Sequence, residues 1–293
     1  MWMCCNTGGA AEAEGTESSP ESSRRKYYVW RDVDEKKNET VDSLRVPSLV
    51  EVDGAVFAVA EAQCTNNNES FTGIASELLT WSGEQTREEL NTTKLKTQVL
   101  EECPSSEDMC ASQNALHVDF QDGTEVILAR PTTVVEGSEI CMLAGIYNFE
   151  GTNVERAYWG ILLLKGNVSG VEKSEKRIHW HDVDAIPSIA DIQQNESLTD
   201  LIGGGGSGVK MEDGTLLFPV EGIKSNGAAA GTNTVSLIIY STGNGDWKLS
   251  KDISADGCSD PSLVKLEKDK LIMMTACDDG RRRVYESGDK GES

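Results

Sequence analysis

Charged residues recur at one point of a repeated pattern in this chain. Arg45 stands two residues before Pro47, Arg130 one before Pro131 and Asp260 one before Pro261, while Glu61 and Ala276 follow their repeat's proline by 14 and 15 residues. Guanidinium groups grip carboxylates through paired, charge-assisted hydrogen bonds, so side chains of these types either meet an anionic ligand or pair with one another. Internal pairing has two forms. Arg45 can pair with Glu61 across one hairpin, provided that it lies opposite Glu61 rather than Ala62. Arg130 can pair with Glu61 or Asp260, which would close the pocket with its own charges.

The elements that must position these residues are visible as four similar segments. Pro47 opens PSLVEVDGAVFAV, Pro131 opens PTTVVEGSEICML, Gly208 opens GVKMEDGTLLFPV and Pro261 opens PSLVKLEKDKLIMM. Each reads as a strand, an acidic turn closed in three cases by Gly54, Gly137 or Gly214, and a second strand of similar length. Trp81, Trp159 and Trp247 follow three of them near a later turn. A hairpin that cannot bury both faces alone must stack on its neighbours, and radial stacking gives a β-propeller; a two-sheet sandwich is the alternative. In a propeller, the entry of the first strand and the exit of the second gather at one rim of the axis. Residues 41–293 are therefore read as an all-β propeller domain and residues 1–40, rich in Gly, Ala, Glu and Ser, as a disordered leader.

Composition narrows the partners. With 27 Lys and Arg against 49 Asp and Glu, the 293 residues carry a formal charge of −22, which opposes nucleic acid and anionic membrane surfaces. No apolar stretch is long enough for a transmembrane helix, and no signal peptide opens the chain. Eight Cys include no Cys-x-x-Cys pair, and His117, His179 and His181 lie away from them, so no metal site or cofactor is expected. Cys258 and Cys277 would face each other across the last hairpin, and Cys103 and Cys110 bracket a polar loop; either pair can form a disulfide in an oxidising compartment. Sequons at Asn38, Asn68, Asn91, Asn167 and Asn195 point to a secreted or displayed parent protein. Gly203 to Gly206 lacks the ending of a phosphate loop and precedes a strand, so it reads as backbone entering close to the axis.

Ser287-Gly-Asp-Lys-Gly-Glu-Ser293 approaches the Asp box, Ser-x-Asp-x-Gly-x-Thr-Trp, a hairpin turn whose Asp binds local backbone donors. Together with VDSLRVPSLVEVDG, LIGGGGSGVKMEDGTLLFPVEG and TACDDGRRRVYESGDKG, it makes residues 28–293 resemble the trypanosomal trans-sialidase superfamily. The resemblance implies a six-bladed sialidase-type propeller, of which about the first three to four blades are present. It also implies a truncated chain, with a lectin-like domain and a lipid-anchor signal absent. Sialic acid would be held by three Arg and cleaved with an Asp acid/base and a Tyr nucleophile assisted by Glu.

Carried over one residue at a time, the pattern is degraded. The first arginine matches Arg45. The acid/base falls on Glu61, the second pocket Asp on Arg130, the assisting Glu on Asp260 and the second arginine on Ala276; the third arginine and the Tyr would lie beyond Ser293. The expectation is a non-catalytic surface glycoprotein with Glu61 and Asp260 as degenerate catalytic equivalents and Arg45 and Arg130 as ligand contacts. Its partners would be sialylated glycans or host-cell surface and matrix proteins. An active exo-α-sialidase or trans-sialidase is the alternative.

Overall fold

A computed structural model describes residues 28–67, 69–79, 95–102, 124–148, 160–170, 176–186, 198–225, 232–241, 246–267 and 269–292. Its first sheet runs β1 (Tyr28–Asp32), β2 (Glu39–Val52), β3 (Ala55–Asn66), β4 (Glu69–Leu79), β5 (Lys96–Glu102) and the short β6 (Thr124–Glu125), in the spatial order β1-β5-β4-β3-β2 with β6 on β5. The second sheet holds β7 (Thr132–Glu136), β8 (Glu139–Asn148), β9 (Gly160–Ser169), β10 (Arg177–Ala185), β11 (Leu198–Gly203), β12 (Gly206–Ser207), β13 (Val209–Lys210), β14 (Leu216–Ser225), β15 (Thr232–Ser241) and β16 (Trp247–Leu249). β17 (Cys258–Lys265), β18 (Leu271–Cys277) and β19 (Arg282–Ser287) complete the set.

These strands make an all-β partial propeller. The four sequence repeats are its inner hairpins, β2–β3, β7–β8, β13–β14 and β17–β18, each extended outwards by further antiparallel strands. β11 joins the second and third blades into one sheet because it pairs with both β8 and β14. The inner strands converge: β2 lies on β7, and the β12–β13 segment reaches β2, β7 and β17.

Period-2 alternation explains the stacking. Phe57, Val59 and Ile74 of the first blade bury against Ile140, Met142, Leu162 and Leu164 of the second. Leu143, Ile161 and Leu163 on the second blade's other face meet Phe218, Val220 and Ile239 of the third. Leu217, Ile238 and Tyr240 then meet Leu263, Leu271 and Met273 of the fourth.

Order begins earlier than the expected boundary at residue 40. Tyr28–Asp32 pairs with β5, and Tyr28 and Trp30 pack on the core between the first two blades. Arg31 fixes this segment by bonding Glu39 (2.7 Å) and Glu101 (2.5 Å) at once. Cys258 and Cys277 are cross-strand partners and form a disulfide, whereas Cys103, Cys110, Trp81 and Trp159 lie outside the described residues. Among the described residues no helix is long and apolar enough to cross a membrane.

Candidate functional site

The rim is built by a backbone device used in three blades. Val46, Arg130 and Asp260, each immediately before a proline, adopt left-handed φ values of 49°, 50° and 48°. This region costs a non-glycine residue roughly 1–3 kcal/mol and persists only where surrounding structure enforces it. β-Bulges accompany two of the three, between Arg45 and Ser48 and between Ser259 and Ser262. In the third blade the strained positions fall on Gly205 and Gly206, at φ 79° and 76°.

The glycine run passes through this crossing as the sequence suggested. A Cβ at Gly203 would stand 2.5 Å from the Arg130 carbonyl oxygen, one at Gly204 2.5 Å from the Pro219 carbonyl oxygen, and one at Gly205 2.2 Å from Val46 Cγ1. Gly204 N–H bonds the Pro219 carbonyl, and Gly205 N–H bonds Thr132 Oγ1. The backbone of the third blade is thus locked against the first, second and fourth at the axis.

Around it sits a connected set of charges. Arg130 Nη2 reaches Glu221 Oε1 at 2.6 Å, Asp260 Oδ1 at 2.7 Å and the Gly204 carbonyl at 3.1 Å. Glu221 Oε1 also accepts the Asp260 N–H at 2.7 Å. Burial pushes the Glu221 carboxyl above its ordinary pKa, opposed by the Asp260 N–H and by Arg130, while the Asp260 charge adds to the rise. The buried Glu61 carboxylate accepts the Arg130 N–H at 2.8 Å and the Gln63 amide at 2.6 Å.

Three of the four predicted side chains therefore come together, and one does not. Glu61, Arg130 and Asp260 share the network, with Arg130 held by Asp260 through its side chain and by Glu61 through its backbone. Arg45 does pair in register with Glu61, the alignment that permits an ion pair. The ion pair is nevertheless absent among the described residues: Glu61 is committed to Arg130 and Gln63, and Arg45 is exposed. Ala276, opposite Ser259, supplies no guanidinium.

Glu221 was missed by the sequence reading. The signal was available, because Glu221 follows the turn glycine Gly214 at the same distance at which Glu61 follows Gly54. A carboxylate ending the apolar run Leu216–Val220 is also unusual enough to need a partner.

In the Asp-box turn Ser287 Oγ accepts the backbone N–H groups of Asp289 (3.3 Å) and Gly291 (2.9 Å), and it donates to Asp289 Oδ1 at 2.7 Å. Asn38 and Asn167 are exposed, while Asn68, Asn91 and Asn195 lie outside the described residues. Among the described residues, Glu136, Glu139 and Cys141 form the one group whose ligand atoms lie within 4.8 Å of one another. Lys210 already pairs with Glu136 at 2.6 Å, and burial followed by Glu139 pushes the Cys141 thiol up to about 11, so these groups serve each other.

Fold and rim together define a BNR-type partial propeller with a charged axial site. The BNR repeat-like domain matches residues 46–293. Sialidase 85-1.1 of Trypanosoma cruzi is 35% identical over 178 residues, which is 56% of this chain and 22% of that protein. A sialidase of Clostridium perfringens is 28% identical over 174 residues, 56% of this chain and 43% of that protein. Among solved structures, Trypanosoma rangeli sialidase in complex with sialic acid superposes with a TM-score of 0.55 at 22% identity, covering 86% of this chain and 37% of that one. The chain thus spans less than half the length of these relatives. It belongs to the BNR repeat-like family and is similar in sequence to trypanosomal and clostridial sialidases.

Proposed function

We propose that this chain is a sialidase-like module whose axial site does not cleave or transfer sialic acid, and that its parent protein is displayed at a cell surface or secreted for adhesion to host glycans or proteins. The carrying observation is Arg130: its guanidinium fills the axial site, bound to Glu221, Asp260 and the Gly204 carbonyl. An acid/base at Glu61 would first have to release the Arg130 N–H and the Gln63 amide. Displacing a catalytic group by 1 Å can cost about 10²-fold in rate, and Ala276 brings no carboxylate clamp. Arg45 remains exposed and is the group that would meet a sialoside carboxylate if binding survives without chemistry. The exposed sequons at Asn38 and Asn167 suit a glycosylated, displayed parent.

Purified chain incubated with a fluorogenic sialoside should release no fluorophore above a matched blank. Release above the blank that disappears in Glu61→Gln would overturn the proposal. Saturation-transfer NMR with sialyllactose, run on the chain and on Arg45→Ala, separates a retained binding role from none.

A further inference from the structure

The fourth blade presents its share of the axial charges on a short piece of strand. A β-bulge between Ser259 and Ser262 interrupts the β17–β18 ladder, and on its rim side only Cys258–Cys277 and Ser259–Ala276 remain paired among the described residues. The first blade, whose bulge lies between Arg45 and Ser48, continues instead through six pairs from Arg45–Glu61 to Glu39–Asn66. Asp260 stands inside the fourth blade's bulge at a φ of 48°, a conformation that surrounding structure must enforce. It sends Oδ1 to Arg130 Nη2 and its N–H to Glu221. The disulfide crosses the rim piece two residues before Asp260. Besides it, that piece is held by the Asp278 N–H on the Gly257 carbonyl, the Gly257 N–H on the Thr234 carbonyl and Ser236 Oγ on the Cys258 carbonyl. Cys258 is fully buried, whereas Cys277 is half-buried.

We propose that the Cys258–Cys277 disulfide is a redox switch for the axial site. Intact, it holds Asp260 on Arg130; reduced by a small thiol, it lets Asp260 go and frees one side of the Arg130 guanidinium for an anionic ligand. The sulfur within reach of an incoming thiolate is that of Cys277. Attack there forms a mixed disulfide and breaks the S–S bond, so Cys258 leaves with the electron pair and takes up a proton. A second thiolate attacks the reductant's sulfur in the mixed disulfide. Cys277 is then released as a thiol, and the two reductant molecules end as their own disulfide. Without the cross-link, a ladder of two pairs must hold a left-handed residue before Pro261, and so weakly tied a segment opens locally. Glu221 keeps its contact with Arg130, so the guanidinium is loosened rather than expelled. The switch goes beyond the proposed loss of catalysis and does not depend on it.

The test uses the whole chain with phenylglyoxal, which adds to guanidinium groups that are not held, and follows Arg130 and Arg45 by mass spectrometry. Three proteins are compared: the oxidised chain, the chain reduced with dithiothreitol and desalted under argon, and Cys258→Ser/Cys277→Ser. Losing one charge-assisted hydrogen bond should speed Arg130 modification about 10-fold in the second and third, while the exposed Arg45 keeps its rate. Asp260→Asn, with the disulfide intact, should react as fast as the reduced chain. Amide exchange separates a switch from a plain staple: on reduction the amides of residues 258–260 should exchange faster, while those of Met142 and Leu143 in β8 stay protected. Equal Arg130 rates in the oxidised and reduced chains overturn the proposal. So does a response to dithiothreitol that persists in the double variant, because it would come from other cysteines, or loss of protection in β8 together with the rim. Should the double variant not fold, the reduced chain alone decides. No readout uses a sialoside, so the switch and the proposed function fail separately.

Discussion

Replacing Arg130 by Met tests whether the axial charges hold each other. The substitution keeps a long side chain at the strained φ of 50° and removes the guanidinium from Glu221, Asp260 and the Gly204 carbonyl. Glu221, whose side chain is only 7% exposed, would keep the Asp260 N–H as its remaining donor, while Asp260, 65% exposed, can turn to water. Stripping one partner from a fully buried pair costs about 3–5 kcal/mol. Solvent reaches Arg130 and Asp260, so the expected loss is smaller, about 2–3 kcal/mol at pH 7. For a chain of this size that is a fall in melting temperature of roughly 5–10 °C.

The loss should depend on pH in a defined sense. Burial raises the Glu221 carboxyl pKa already, and removing Arg130 raises it further. A carboxyl with a raised folded-state pKa contributes stability that is present below its unfolded value and is lost as pH rises through the folded one. The Arg130→Met penalty should therefore shrink as pH falls through the raised Glu221 range, beginning above the ordinary carboxyl value of about 4.3, and be smallest once Glu221 carries its proton. Adding Glu221→Gln, which keeps an acceptor for the Asp260 N–H, should recover at least about 1 kcal/mol at pH 7. Urea unfolding followed by two probes measures all three proteins. An Arg130→Met effect under about 0.5 kcal/mol, or a double variant no more stable than the single, would refute the network's cohesion.

Two further outcomes follow from the geometry. Gly205→Ala must place a Cβ 2.2 Å from Val46 Cγ1 at a φ of 79°, and should cost about 3 kcal/mol in urea unfolding, with Val46→Ala in the same chain recovering part of it. Asp213, drawn down to about 2 by Lys290 and then by Thr215, should titrate there by NMR and return towards its ordinary value in Lys290→Ala. Its carboxyl is depressed in the folded state, so whatever stability the contact gives is present above about pH 4 and lost as pH falls through 2.

The four inner hairpins were legible because their information is local. Alternating apolar residues set the faces, and Gly54, Gly137 and Gly214 take the positive φ that their turns require. The Cys258–Cys277 pairing was expected across the last hairpin, and it is the bulge between Ser259 and Ser262 that brings the two into register. The axial site was half legible. Position in the repeat placed Glu61, Arg130 and Asp260 at one rim, but the aim of each side chain depends on bulges and left-handed residues that no pattern of residue types announces. Arg45 shows the limit. Its register with Glu61 was one of the two foreseen, yet the bulge that follows it and the Arg130 N–H decide where the Glu61 carboxylate goes. The strand at Tyr28–Asp32 was hidden for another reason: its partner lies far along the chain at β5, and the carboxylates that meet Arg31 come from other strands, at Glu39 and Glu101.

The local charge inventory carries the functional reading one step further. Glu61, Glu221 and Asp260 bring three carboxyl groups to the axis, against the guanidinium groups of Arg130 and Arg45. Arg130 spends Nη2 on two of those carboxyls and a carbonyl, and its buried Nε has no hydrogen-bond partner, which leaves Arg45 as the exposed guanidinium. A sialoside carboxylate would then enter a site already richer in acids than in bases, and a single exposed guanidinium is worth little against that repulsion and its own hydration. Under the proposed reading, Arg130 in place of the second pocket Asp implied by the family resemblance would offset the acids while occupying space that a sialoside would need. Reversing it alone, with Arg130→Asp, would open the space and leave four carboxyl groups facing Arg45. Recovering a carboxylate clamp therefore needs at least a second change, Ala276→Arg, on the strand opposite Ser259.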